Sequence, residues 1–142
     1  MADLLRPEDL KTISTEAEMA RVQEYMTREK KREDAQRELR EAFLHREIHP
    51  DVRQRVNTAI RRAAEQGRHE LQVFTFPASY CNDHGRRINN NEPDWPDSLE
   101  GFARKAYEYY EKELRPLGYK LSAQVLDFPG GMPGEVAIVL KW

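Results

Sequence analysis

The chain concentrates chemically reactive side chains in one segment, residues 80–87. This segment holds a thiol, a carboxylate, an imidazole and two guanidinium groups within seven residues. Aromatic side chains stand at its start and further along the chain. The candidate ligand-binding residues are Tyr80, Cys81, Asp83, His84, Arg86, Arg87 and Trp95. Three kinds of chemistry are open to such a set, namely nucleophilic catalysis, metal binding and anion binding.

Nucleophilic catalysis would use Cys81, with His84 as the nearest base in sequence. A neighbouring arginine would lower the pKa of the thiol and raise its reactivity. The base of such a site usually comes from another part of the fold, however, so closeness along a loop is weak support. The catalytic residues of the chain therefore stay unassigned.

Metal binding is supported less well. Cys81, Asp83 and His84 supply at most three ligands, whereas structural zinc takes four. His45 and His49 are four residues apart, but the proline that follows His49 argues against a shared helical face. The sequence predicts no metal and no cofactor.

Anion binding would use Arg86 and Arg87 as a clamp for a carboxylate or phosphate. Gly85 would allow the backbone to approach the ligand closely, and Tyr80 and Trp95 would provide flat apolar walls. These residues belong to a run of about twenty residues without helical period, and loops of that length are usually functional or disordered.

A structural interpretation of the same loop competes with these three and is favoured over them. Asn, Asp and Gly side chains form turns, and the two arginines would then be solvated or paired with nearby acidic groups. Those acidic residues are Glu92, Asp94 and Asp97.

The N-terminal third predicts a long charged helix. Residues 1–14 are expected to be a loose leader, and the helix is expected to begin at Thr15, because Glu18 completes a capping box. One apolar stripe follows, formed by Met19, Val22 and Met26. The stripe disappears over residues 27–38, where Ala35 is the single apolar residue.

Composition favours a helix through that polar stretch as well, because Arg, Lys, Glu and Gln lose little side-chain entropy in helices. A heptad seam through Met26 continues into Glu29 and Glu33, so a simple coiled coil is rejected. The sequence predicts a charged helix that projects into solvent.

The rest of the chain has the pattern of an ordinary core. A break is predicted at residues 48–50, followed by an amphipathic helix that Gly67 ends. A third helix is expected after an N-cap at Asp97 or Ser98. The predicted strands are His69–Phe76, Tyr119–Phe128 and a last one that contains Val136, Ile138 and Leu140. Apolar residues on both faces of the first strand indicate that it is covered on both sides.

The order of elements is α-α-β-α-β-β, which predicts an α+β fold. Its small three-stranded sheet is packed with helices, and the last two strands form an antiparallel hairpin. The first two strands, joined through a helix, would make a right-handed crossover if they were adjacent and parallel. The expected domains are a leader with a charged helical extension over residues 1–47 and a globular domain over residues 48–142.

The charge of the chain gives little reason to expect nucleic acid as a partner. The net charge is -2, from 23 basic and 25 acidic residues. Binding through the basic helices of residues 28–62 is therefore the weakest alternative. No apolar run reaches the roughly 20 residues that cross a bilayer. A single cysteine and a start without an apolar segment favour the cytoplasm.

These observations predict a small non-enzymatic protein that acts by binding. The expected partner is a protein, either a second copy or another chain, bound through the N-terminal helix. The alternative is a small-ligand (anion) binder or an enzyme that uses the loop of residues 79–97.

Overall fold

The computed structural model describes residues 3–142 and confirms the predicted α+β class. The helices are α1 (Pro7–His45), α2 (Val52–Glu65), the short α3 (Arg86–Asn89) and α4 (Gly101–Tyr109). The strands are β1 (Glu70–Pro77), β2 (Lys120–Val125) and β3 (Glu135–Lys141). Helix α4 continues into a π-helical turn over Tyr110–Leu114. Short 3-10 turns occupy Ala78–Tyr80, Trp95–Ser98, Arg115–Leu117 and Pro129–Gly131.

Helix α1 begins at Pro7, eight residues before the predicted start. The prediction of a loose leader is therefore wrong from Pro7 onward, while Met1 and Ala2 lie outside the described residues. A proline suits the first helical position, and the N–H of Arg6 donates to Oδ2 of Asp9 at 3.0 Å. The helix runs without interruption through the polar stretch of residues 27–38, as predicted.

The three strands form one sheet in the order β1-β3-β2, and β3 is antiparallel to both neighbours. The predicted C-terminal hairpin is confirmed. Strands β1 and β2 are not adjacent, because β3 inserts between them, so no crossover joins neighbouring parallel strands. Residues 136–140 of β3 are buried on both faces, as expected of the central strand.

Strand β1 lies at an edge of the sheet and is not covered on both sides, which corrects the prediction. The pairing with β3 slips by one residue between Gln72 and Phe74. This bulge leaves Val73 44% exposed, and Gln72 and Thr75 are exposed as well. Apolar residues do lie on both faces of β1, but an edge strand with a bulge has too few neighbouring elements to bury them all.

Residues up to Glu41 and residues from Ala42 onward form two compact units. The last turn of α1 therefore belongs to the second unit. There, the ring of Phe43 lies 5.4 Å from that of Phe76 and 5.0 Å from that of Tyr80. The buried core of this unit comprises Phe76, Ala78, Cys81, Ile88, Leu99, Ala103, Val136 and Ile138.

Helix α4 is preceded by an N-cap at Glu100, so the predicted cap at Asp97 or Ser98 is wrong. Those two residues complete the 3-10 turn that starts at Trp95, and the backbone at Leu99 is extended. The hydroxyl of Ser98 donates to the carbonyl of Trp95 at 2.7 Å, which uses its capping capacity inside that turn.

Candidate functional site

The predicted binding loop is folded around the carboxylate of Asp83. Its Oδ1 accepts from the N–H of Gly85 and its Oδ2 from the N–H of Arg87, both at 3.0 Å. These bonds form the turn that opens α3. Gly85 has φ +84°, and a Cβ there would lie 2.9 Å from the Cβ of Ala78. The close approach that the sequence suggested for a ligand is therefore made to the protein's own Ala78 side chain.

Cys81 belongs to the core rather than to an accessible site. The residue is 3% exposed. Burial raises the pKa of the Cys81 thiol to about 11, and a hydrogen bond with Ser98 opposes that rise only in part. A thiol with such a pKa is protonated at neutral pH, and the thiolate is the nucleophilic form. His84 lies on the surface with a left-handed backbone, φ +57°.

The two arginines of the loop are paired with acidic side chains. Nη1 of Arg86 lies 3.6 Å from Glu92, and Nε of Arg87 lies 3.4 Å from Asp94. Both partners were named by the structural interpretation of the sequence. The third, Asp97, lies 3.8 Å from Arg104 instead. An anion at this loop would therefore meet two arginines whose positive charges are already compensated by acidic side chains.

The aromatic residues assigned to the loop face different neighbours. Tyr80 packs on Phe43, whereas the Trp95 ring meets Tyr107 edge-on with centroids 5.7 Å apart. The candidate set thus divides among the core, the turn and the surface. Among residues 3–142, no three His, Cys, Asp or Glu side chains are grouped so as to hold a metal ion.

Outside this loop, two surfaces are candidates for binding. The first is the α1 stripe, which consists of Met19, Val22 and Met26. These side chains are 67%, 57% and 64% exposed, and α1 has no buried residue. Glu18, Gln23, Thr27 and Lys30 border the stripe. Such a set presents an apolar strip with a polar margin.

The second is a cavity of about 290 Å³ beneath α2, here called the α2 cavity. Its lining is almost entirely apolar and comes from helices α2 and α4 and from the sheet. Representative lining residues are Val52, Val56, Ala59, Phe74, Ala106 and Leu140. On α2 only Ala63 is fully buried, so the helix covers the sheet without filling the space below it.

Sequence reasoning placed the apolar arc of α2 on a core but missed this cavity. The available signal was side-chain size, since the arc consists largely of valine and alanine. Short side chains leave space when the helix axis is held at a normal distance from the sheet. The size of the cavity also depends on the position of α4, which no local sequence pattern specifies.

Arg55, which lines the α2 cavity, and its neighbour His49 are here called the rim. Arg55 lines the cavity, and its Nη2 lies 3.0 Å from Nε2 of His49. The other ring nitrogen of His49, Nδ1, accepts the backbone N–H of Asp51 at 3.0 Å. Nearby, Arg53 pairs with Glu113 at 3.3 Å, so the two arginines of this turn differ in their surroundings.

No protein-family model matches the chain, and neither a curated protein nor a solved structure resembles it significantly. In the part of the chain that the structure describes, no helix combines the length and apolarity that a membrane span requires.

Proposed function

We propose that this protein is a non-enzymatic interaction module that binds a helix of a partner protein through the α1 stripe. The observation that carries the proposal is the contrast within α1: the helix is 39 residues long and contains no buried residue, yet it presents three large apolar side chains on one face. A polar helix maintained over that length has a role outside the core.

The chemistry of the stripe suits a helical partner. Met19, Val22 and Met26 follow one another at intervals of three and four residues, the spacing that keeps side chains on one face. Methionine adapts its shape to a partner surface. Burying three such side chains contributes roughly 3–6 kcal/mol before the entropy of association is subtracted, which supports a reversible complex.

Site-specific photocrosslinking in the cells that make the protein tests the proposal. A photoreactive amino acid at Gln23 stands beside the stripe and leaves its three side chains in place. We expect a discrete crosslinked species whose yield falls at least about tenfold when Met19, Val22 and Met26 are all changed to alanine. Alanine retains helix propensity, so the loss reports the apolar surface.

Leu39→Ala is the matched control, because Leu39 is 66% exposed on the same helix and lies outside the stripe. Its crosslinking is expected to equal that of the unmodified protein. The proposal is overturned if the triple variant crosslinks normally, or if no species forms at Gln23. The molar mass of the purified chain from light scattering then separates a second copy from a different partner.

A further inference from the structure

A second binding function is suggested by the α2 cavity and its rim. We infer that the cavity binds a small amphiphilic monocarboxylic acid, with the apolar tail beneath α2 and the carboxylate beside Nη2 of Arg55 and Nε2 of His49. This site lies within residues 42–142 and is independent of the α1 stripe.

The interior of the cavity suits an apolar tail. Aliphatic and aromatic side chains form most of its walls, with Gln72 and Tyr109 among the lining residues, and the hydroxyl of Tyr110 already donates to the carbonyl of Tyr119 at 2.8 Å. Water in a cavity needs two to four polar partners, so these walls retain it poorly. A volume of about 290 Å³ is roughly twice that of an apolar cavity that binds benzene, which corresponds to a tail of about ten carbon atoms.

The rim requires an acceptor. A backbone N–H can only donate, so Nδ1 of His49, which takes the N–H of Asp51, carries no proton. With Nδ1 as the acceptor, the N–H of the ring is on Nε2. The guanidinium of Arg55 also only donates, and its Nη2 faces Nε2 at 3.0 Å. Two donors therefore lie 3.0 Å apart, and an anionic oxygen beside the pair, within hydrogen-bond distance of both nitrogens, would accept from each.

Arg55 connects the cavity to the rim, because it lines the cavity and its guanidinium contacts His49. A ligand with its tail against Val56 and Ala59 would therefore carry its head group to the two donors. A carboxylate matches the planar guanidinium and brings one negative charge. Asp51, whose backbone N–H bonds to His49, adds a negative charge that disfavours a head group of higher charge.

Calorimetric titration of the full chain with decanoate, below its micelle concentration, tests the inference, with decanol as the uncharged probe of equal tail. We expect saturable binding of decanoate with a stoichiometry of one, and weaker binding of decanol. Arg55→Gln should weaken decanoate binding by about tenfold and leave decanol unchanged. Arg53→Gln is the matched control, because Arg53 lies on the same helix but does not line the cavity, and should bind both as the unmodified protein does.

Ala59→Leu tests the location, because the larger side chain fills the space below α2. Decanoate and decanol binding should both be lost. Ala106→Leu, from α4, serves the same purpose if the first variant does not fold. The inference is overturned if decanoate does not bind, if both filled variants bind it normally, or if Arg55→Gln and Arg53→Gln weaken it equally.

Discussion

Gly101 lies against the backbone of Leu44, so that a Cβ on Gly101 would stand 2.5 Å from the Cα of Leu44 and 2.9 Å from its carbonyl oxygen. Gly101 also has φ +56°, in the left-handed region. The first residue of α4 is therefore held against the last turn of α1 by a contact that only glycine permits.

The first prediction concerns that contact. Gly101→Ala should reduce the free energy of unfolding by about 3 kcal/mol, because backbone must move and the residue keeps an unfavourable φ. Gly67→Ala is the control, since Gly67 has φ +78° with nothing within 4 Å of the added Cβ, and should cost about 1 kcal/mol. Urea unfolding measures both, and equal losses would show that the contact with Leu44 is dispensable.

The second prediction separates the two compact units. A chain that begins at Ala42 should unfold in one cooperative thermal transition, whereas a chain that begins at residue 47 should be less stable by about 3–5 kcal/mol. The difference arises from Phe43, whose ring contacts those of Phe76, Tyr80 and Phe102. Phe43→Ala in the full chain is the matched variant, and a stability close to that of the unmodified protein would contradict this role.

The third prediction follows from the pKa of Cys81. The folded state raises it from 9.0 to about 11 by burial, so the folded protein holds this proton more tightly than the unfolded chain. Below pH 9 the bound proton contributes its full share to the free energy of unfolding, roughly 2–3 kcal/mol. This share is lost as the pH rises toward 11. Cys81→Ala should lack this loss.

Urea unfolding at pH 7 and pH 10.5 measures the effect as the difference between the two proteins, because the titration of other groups is common to both. Modification of the thiol at pH 8 should also be slow in the native protein and fast in urea. A rapid native reaction, or parallel pH profiles for the two proteins, would show that the thiol is accessible.

The elements that local pattern specifies were predictable from the sequence. The break before Pro50 and the C-terminal hairpin were found because proline geometry and turn composition act over a few residues. The start of α1 was missed, although Pro7 followed by Glu8 and Asp9 is a recognisable helix beginning. The Thr15 hydroxyl, expected to cap, donates instead to the carbonyl of Lys11 at 2.9 Å.

The candidate site depends on distances between elements, which the sequence does not contain. The residue types near Cys81 suggested chemistry, but the thiol lies in a buried cluster that also contains Ala103 and Ile138, far along the chain. The α2 cavity was missed for the same reason. Its walls come from α2, α4, the π-helical turn and all three strands, and no one of these elements taken alone shows that a space is left between them.

The fourth prediction decides between the structural and ligand-binding interpretations of the loop. Asp83→Ala should cost about 1–2 kcal/mol, because it leaves the N–H groups of Gly85 and Arg87 without their shared acceptor. Asp83→Asn retains one acceptor oxygen and should cost less.

Arg86→Ala is the comparison within the same loop and should change stability by less than about 0.5 kcal/mol, since its ion pair with Glu92 is exposed. A loop built for a ligand would show the reverse order, with a near-neutral Asp83→Ala, because groups reserved for binding contribute little to folding. The order of the two losses in urea unfolding therefore distinguishes a carboxylate that organises the turn from one that serves a partner molecule.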